Sequence, residues 1–578
     1  MRLPQFTLAA GALCLFVATA FAAEPAARLR QPVSLVVSSD GRWLYTANER
    51  AGSVSAIELE AGAVRSETEV GPQLTCLARL GERRLLAVSE SKHELVLLDC
   101  QSEKVSPLAR TAVAKYPVQV AVMPDQHTAV VTSLWSRRVT LVECNAEPPS
   151  LKVTATLDLN FSPLNVLAMN DKFALVADAF AGQLAVIDTA EKKVARSLTI
   201  EAHNIRGLAL SPDGYQVFIS HTLLNEYAES FHSSITWGVL TVNSLHAYPV
   251  ASLIAGDDLK KVSELKQLGI PGQGSADPAG VAIAADGRAV VALSGAGQVA
   301  FCTADDIRVE RVPAGAYPTA VVLSPDTHTA YVANTFDDTI GIYDVDEARK
   351  LRDISLGPWP PLTAADRGER LFHDGRLAHD RWMSCHTCHT GGHSNGAVND
   401  NFTDGSFGTA KRIPSLLGCR DTAPYAWNGK VPSLEEQMKL SISSTMAGKY
   451  RVDDDVAADL SAYLRTLEPP PSLATARDEV KADVVARGQE LFHSLNCKNC
   501  HAPPHYTTPD TYDVGLVDGV GKREFNPPSL RGVSQRPHLF HDNRAGSVEE
   551  VLTKFKHQLD RDLTAAEAAD LAAFLRSL

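Results

Sequence analysis

The chain has 578 residues, enough for several hydrophobic cores, and its 45% hydrophobic and 21% charged content belongs to a folded globular protein rather than a disordered one. Its formal net charge of -13 argues against nucleic acid or an anionic membrane as a partner. The same charge suits a basic redox partner, or simply a solvated surface.

At the N-terminus, Met1-Arg2, an apolar run from Leu8 to Phe21 and the small residues of Ala20-Phe21-Ala22 follow the order of a secretory signal. Residues 1–22 are therefore expected to be a signal peptide removed after Ala22, leaving a periplasmic protein. An uncleaved anchor helix is the competing reading, although the run is short for a bilayer span. Cys14 follows Leu13, where a lipoprotein signal would carry a small residue. No later segment is apolar for long enough to cross a bilayer, so no membrane span is expected after cleavage.

From Pro32 to about Gly357 one pattern recurs seven times: an apolar strand, a polar turn, a second strand, another turn and a third strand. The clearest copies are Pro32–Leu59, with Leu44-Tyr45-Thr46-Ala47-Asn48, and Pro318–Val345, with Ala330-Tyr331-Val332-Ala333-Asn334. A spacing of about 40–46 residues suits four short strands per propeller blade. The reading is all-β, a seven-bladed β-propeller over residues 28–357, with first and last strands sharing a blade to close the ring. A β-sandwich or two smaller all-β domains is the alternative. Tyr331-Val332-Ala333-Asn334 resembles the YVTN family of propeller repeats. The fifth copy carries an insertion, roughly Leu223–Ala276, expected to cover one propeller face and touch the following domain. His221, His232 and His246 in that copy lack metal-ligand spacing and read as loop or core histidines.

Gly357-Pro358-Trp359-Pro360-Pro361 then marks a change from strand to helix period, placing a linker at 358–363. A duplicated unit follows, at 364–470 and 471–578. Each copy opens with Arg-Gly-x-x-Leu-Phe (Arg367–Phe372, Arg487–Phe492) and continues to Cys385-His386-Thr387-Cys388-His389 or Cys497-Lys498-Asn499-Cys500-His501. Pro-Ser-Leu, an aromatic turn, a Ser-x-Glu-Glu helix start and an amphipathic helix complete it. C-x-x-C-H is the attachment signal of c-type haem: two thiols bond one porphyrin edge and the next histidine reaches the iron. His389 and His501 are thus the proposed proximal ligands. A redox C-x-x-C or half a zinc site is the bland reading, but the two motifs stand too far apart to form one zinc site directly. Apart from Cys14, the remaining cysteines, Cys76, Cys100, Cys144, Cys302 and Cys419, are odd in number and mostly in strand-like runs, which favours buried thiols over disulfides.

Each unit resembles cytochrome c, and the tandem resembles the bacterial di-haem cytochrome c peroxidase family, which includes the MauG-type enzymes. Arg412–Leu416, Pro424–Gly429, Leu434–Gln437, Pro528–Gly532 and Leu539–Asp542 carry the likeness. The resemblance implies a multidomain protein in which two mostly α-helical, cytochrome c-like domains follow the propeller. It implies two covalent haems, the first reacting with peroxide and the second relaying electrons, and a calcium ion between them whose ligands are not visible in the sequence. Trp427 falls where a tryptophan lies between the haems, Gln437 where a glutamine lies on the distal side of the first, and Arg531 where an arginine pairs with a propionate. A core tryptophan, a solvent-facing glutamine and a surface arginine are the plainer readings. The family's distal acid falls near Ala447, and its relay-haem sixth ligand falls at Phe555. His557, His541 and Met446 are other candidates for that ligand, His557 pointing elsewhere if the helix continues. His393, in a glycine-rich loop, is either a distal ligand or exposed. The resemblance implies a peroxidase-like oxidoreductase whose partners are a small cytochrome or cupredoxin, hydrogen peroxide and a protein substrate docked on the propeller, whereas Ala447 and Phe555 depart from the family's peroxide-turnover residues. The rival is a non-catalytic electron carrier with a partner-binding propeller.

Overall fold

The structure is a computed structural model that describes residues 27–303, 306, 308–448 and 452–578. The expected signal peptide, residues 1–22, lies outside the described residues.

Seven four-stranded antiparallel sheets follow one another from Pro32 to Ser355, each pairing its strands in chain order. The first blade comprises β1 (Pro32–Val37), β2 (Trp43–Asn48), β3 (Ser53–Glu58) and β4 (Ala63–Glu69). The two middle strands are buried almost throughout, while β4 is polar and forms the rim. The recurring Ser-x-Asp turn has a local cause. The Ser38 hydroxyl accepts from the Trp43 N–H at 2.9 Å, and Ser211 with Gln216 and Ser324 with Thr329 repeat the contact. A side-chain oxygen thus satisfies the first donor of the second strand in these three blades.

The core lies between successive blades. Trp43, Tyr45 and Val54 of the first interlock with Leu74, Leu85 and Val96 of the second. The ring closes differently from expectation. The first copy already contains a complete blade, inner strand to outer, so no blade is shared between the chain ends. Leu35, Leu44 and Ile57 instead pack on Tyr331, Ile340 and Ile354 of the seventh blade. The Asp338 carboxylate accepts from the backbone N–H groups of Arg30 and Gln31, each at 2.8 Å, which fastens the seam.

The fifth-copy insertion reaches the second half of the chain, as expected. Its helix α1 (His232–Thr236) places Ile235 in the same apolar core as Phe372, Trp382 and Met438. Val398 N–H donates to Glu226 at 3.0 Å, and Phe231 packs on Phe407 at 4.4 Å.

The C-terminal region is mixed and largely helical. In the first unit α2 (Ala364–Phe372) packs on α5 (Asp454–Leu464), with α3 (Cys385–Cys388) and α4 (Leu434–Leu440) between them in sequence. In the second, α6 (Ala482–Ser494) packs on α8 (Ala565–Ser577), with α7 (Val548–Thr553) between. This explains Arg-Gly-x-x-Leu-Phe. Arg367 forms a two-bond ion pair with Asp459 at 2.7 and 2.6 Å, and Arg487 does so with Asp570 at 2.8 and 2.9 Å. A Cβ at Gly368 or Gly488 would overlap the backbone carbonyl of that same aspartate, so only glycine lets the helices cross this closely. Ser433 and Ser547 cap α4 and α7 as expected, but Glu550 accepts from the Gly546 N–H rather than from Ser547.

This half rests on one propeller face. Arg50 pairs with Asp366 at 2.6 Å, Arg138 with Glu479 at 2.7 Å, and Gln535 donates to the Trp135 carbonyl at 2.9 Å. No helix among the described residues is long and apolar enough to cross a membrane.

Candidate functional site

Cys385, Cys388 and His389 line a largely apolar cavity that is open to solvent. Ser384 precedes α3 and the helix ends at Cys388, so both thiols and the histidine leave one short turn toward the same space. His389 Nδ1 donates to the Pro414 carbonyl at 3.0 Å, which leaves Nε2 for the cavity. The proline belongs to the Pro-Ser-Leu segment, whose role is thereby visible: it fixes the ring's tautomer and direction, as outer-shell carbonyls do for ligand histidines. Burial holds His389 at about 4, so the ring is neutral at pH 7, the form that binds a metal.

The second motif repeats the device. Cys497–Asn499 form a helical turn, and His501 Nδ1 donates to the Tyr506 carbonyl at 3.2 Å. Burial brings His501 to about 4 as well. None of these four cysteines is in a disulfide, and Cys76, Cys100, Cys144, Cys302 and Cys419 are buried free thiols.

The lining fits haem in a further respect. Arg412 and Arg536 both face the first cavity. Burial, with the charge of Arg536 beside it, pulls Arg412 down to about 9, and burial pulls Arg536 down to about 10. Arg412 Nε donates to the Phe540 carbonyl at 3.0 Å and Arg536 Nη2 to the Arg531 carbonyl at 3.1 Å, while Arg536 Nε is buried without a partner. Neither is within ion-pair reach of a carboxylate among the described residues. Two like charges held together in a pocket ask for anions, and the propionates of a haem are two carboxylates. Sequence reasoning missed this pair. Arg412 stood inside the Arg412–Leu416 segment, but no spacing signal marked Arg536.

Trp427 lines the same cavity and also meets the second unit. Its carbonyl accepts from the Asn526 N–H at 2.9 Å, and its ring meets His541 edge-on at 6.3 Å. Gln437 lines the cavity too, its Nε2 donating to Ser441 at 3.0 Å and its Oε1 buried with no partner. Arg531 is occupied by Asp421 at 2.9 Å and the Gly418 carbonyl at 3.3 Å. Ala447 is buried at the end of the helical segment after Gln437, and none of the cavity's lining side chains among the described residues is a carboxylate.

The other ligand candidates are rearranged. Met446 lines the first cavity rather than the second site. His541 is buried and stacks on Phe525 at 4.4 Å. His557 does not continue a helix: α7 ends at Thr553 and Lys556 has φ 47°, which turns His557 against Phe540 at 5.4 Å. His393 is neither exposed nor aimed at the cavity. It is buried, with Nδ1 bonded to Ser415 at 2.9 Å and Nε2 to the Gln535 carbonyl at 3.3 Å, beneath Trp135 and Phe180 of the propeller. His221 and His246 stack and share a 2.6 Å hydrogen bond. Among the described residues no group of three or more His, Cys, Asp or Glu could hold a metal ion.

Residues 363–472 match the family model described as di-haem cytochrome c peroxidase. The chain is similar to methylamine utilization protein MauG of Methylophilus methylotrophus, 25% identical over 286 residues, covering 38% of this chain and 83% of that protein. It is similar also to cytochrome c551 peroxidase of Nitrosomonas europaea, 24% identical over 270 residues, covering 37% of this chain and 79% of that protein. Among solved structures it resembles Kuenenia stuttgartiensis hydrazine synthase, with 19% identity over 55% of this chain and 96% of that chain and a TM-score of 0.48. A streptogramin B lyase matches at 13% identity over 54% of this chain and 92% of that chain, with a TM-score of 0.41. The C-terminal region of this chain is thus similar to the di-haem cytochrome c peroxidase and MauG proteins, and it stands behind an N-terminal seven-bladed β-propeller.

Proposed function

We propose that this protein is a periplasmic di-haem oxidoreductase of the peroxidase type, holding one haem at Cys385, Cys388 and His389 and the other at Cys497, Cys500 and His501. Bound at these two places, iron porphyrin supplies one-electron chemistry between a small cytochrome or cupredoxin, or a protein substrate, and a peroxide-type oxidant. The observation that carries this reading is the matched pair of motifs, each with its histidine Nδ1 bonded to a backbone carbonyl and Nε2 left for a ligand. Trp427 offers an aromatic stepping point at the junction of the two units. Gln437 presents an unpartnered amide oxygen inside the first cavity, which can orient a small polar oxidant. Arg412 and Arg536 anchor anionic groups there. With one propeller face taken up by the haem half, a docked protein is left the opposite face and the blade rims.

A second reading, electron relay without catalysis, is favoured by one observation: among the described residues no carboxylate lines the first cavity to serve as the acid for O–O cleavage. Adding hydrogen peroxide to the half-reduced protein while recording its absorption separates the two. A rapid change confined to one haem's bands supports the oxidoreductase. Two haem spectra indifferent to peroxide leave the relay.

A further inference from the structure

The first attachment segment is gripped from the propeller side. The Trp382 ring, three residues before Cys385, lies in a cradle of Gly238, Gly269 and Gly274, where an added Cβ would overlap the indole or the Trp382 backbone. Asn243 Nδ2 donates to the Trp382 carbonyl at 2.9 Å. Asp277 is fully buried at the N-terminal end of α3. One of its carboxylate oxygens accepts from the Ser384 hydroxyl, and the other accepts from Thr387 Oγ1 at 2.6 Å and Asn204 Nδ2 at 3.4 Å. Arg206 Nη1 donates to His386 Nε2 at 2.8 Å, while Nη2 donates to Tyr317 Oη at 3.4 Å.

These contacts share a logic. Ser384, His386 and Thr387 are the residues that flank or separate the two cysteines, so the propeller holds the motif by its non-ligating members. Asp277 has φ 54°, a conformation that only a firm set of partners keeps in a non-glycine residue. Burial raises the Asp277 carboxyl above the usual carboxylate range, while the Ser384 and Thr387 hydroxyls and the Arg206 charge favour its ionised form. An ionised carboxylate and a guanidinium held away from bulk water act on their neighbours through a low dielectric.

We propose that Asp277 and Arg206 are positioning residues for the first haem, fixing the Ser384–His389 segment and setting opposed charges that tune that haem's reduction potential. The carboxylate favours the ferric state and the guanidinium the ferrous state. The propeller is then part of the first redox centre, and its blades cannot be exchanged for another docking module without altering that centre. This rests on the reading that Cys385, Cys388 and His389 hold a haem.

The test is a spectroelectrochemical titration of the full-length di-haem protein carrying Asp277→Asn, Arg206→Met or Arg206→Lys. Asp277→Asn is expected to raise the first haem's midpoint and Arg206→Met to lower it. Each shift is expected to reach a tenfold change in the ferric-to-ferrous ratio, about 59 mV for one electron. Arg206→Lys returns the midpoint toward the parent value, and the second haem stays unmoved throughout. Unchanged midpoints in both charge-removing variants, or parallel shifts of both haems, would overturn the proposal. If Asp277→Asn does not fold, the Arg206 pair decides alone by the same criteria. Absorption of the denatured parent protein keeps the underlying reading separate: absence of covalent haem at the first motif defeats that reading, whereas haem present with unmoved midpoints defeats only this inference.

Discussion

Arg412 and Trp427 hold each other from two sides. The Trp427 indole N–H donates to the Arg412 carbonyl at 2.8 Å, and the Arg412 guanidinium lies 5.1 Å over the indole ring. The arginine backbone also joins the second unit, its N–H donating to the His541 carbonyl at 2.6 Å. The tryptophan is thereby clamped where the two haem units meet, with a cation against its π-face. Trp427→Phe keeps an aromatic ring but loses the N–H and part of the π-surface. Both haems should stay attached, while transfer between them, followed by stopped-flow absorption, slows about tenfold, equivalent to 1.36 kcal/mol of barrier. An unchanged rate would assign Trp427 to packing alone.

The two helix crossings give a stability prediction. Gly368→Ala and Gly488→Ala each force a methyl into a backbone carbonyl, so α2 must shift from α5, or α6 from α8. Overpacking of this kind costs about 1–3 kcal/mol. Thermal melts should show it for both variants, with the haem-half transition moving and the propeller's less affected.

The insertion helix predicts a loss that crosses between the two halves. Ile235 belongs to the fifth propeller copy but is buried in the first haem unit's core beside Phe372 and Trp382. Ile235→Ala should cost about 2–5 kcal/mol. The melting transition followed at haem absorbance should fall with it. A fall seen only in the far-ultraviolet signal of the sheets would show that the insertion serves the propeller alone.

A pH dependence follows from two glutamates on the propeller face. Burial, reinforced by the Glu369 charge, pushes Glu49 from 4.5 up to about 7. Burial, with Glu49 nearby, pushes Glu90 likewise to about 7. Each binds its proton more tightly in the folded state, so folding takes up protons between about pH 4.5 and pH 7. Stability should therefore decline as pH rises through that window and level off above it. Glu49→Gln and Glu90→Gln should flatten the decline in melting temperature. A slope as steep as the parent's would mean that other groups set it.

Much of this was legible before any coordinates. The C-x-x-C-H motifs mark themselves because the chemistry demands those residues at that spacing. The blade period shows because each copy repeats its buried middle strands, and three of them, at Ser38, Ser211 and Ser324, share a Ser-x-Asp turn. Arg-Gly-x-x-Leu-Phe was visible as a duplication, but its purpose, a glycine crossing locked by an Arg–Asp pair, depends on a helix some ninety residues later. What stayed hidden depends on distant parts of the chain. A repeat does not say where a ring opens, and polar outer strands such as Ala63–Glu69 leave only a weak pattern, so the shared blade was expected wrongly. His393 sits among glycines, which suggests exposure, yet Trp135 and Phe180 arrive from the propeller to bury it. His557 was placed by helical geometry, which ends four residues before it. Arg536 gains its meaning only from Arg412, far away in sequence and close in space.

The most direct measurement is the intact mass of the denatured, purified protein, alongside Cys385→Ala/Cys388→Ala and Cys497→Ala/Cys500→Ala. The parent should weigh two haems more than its polypeptide, and each double variant one haem more. A parent mass equal to the polypeptide alone, or a cysteine pair whose loss leaves the added mass intact, would contradict the account at its base.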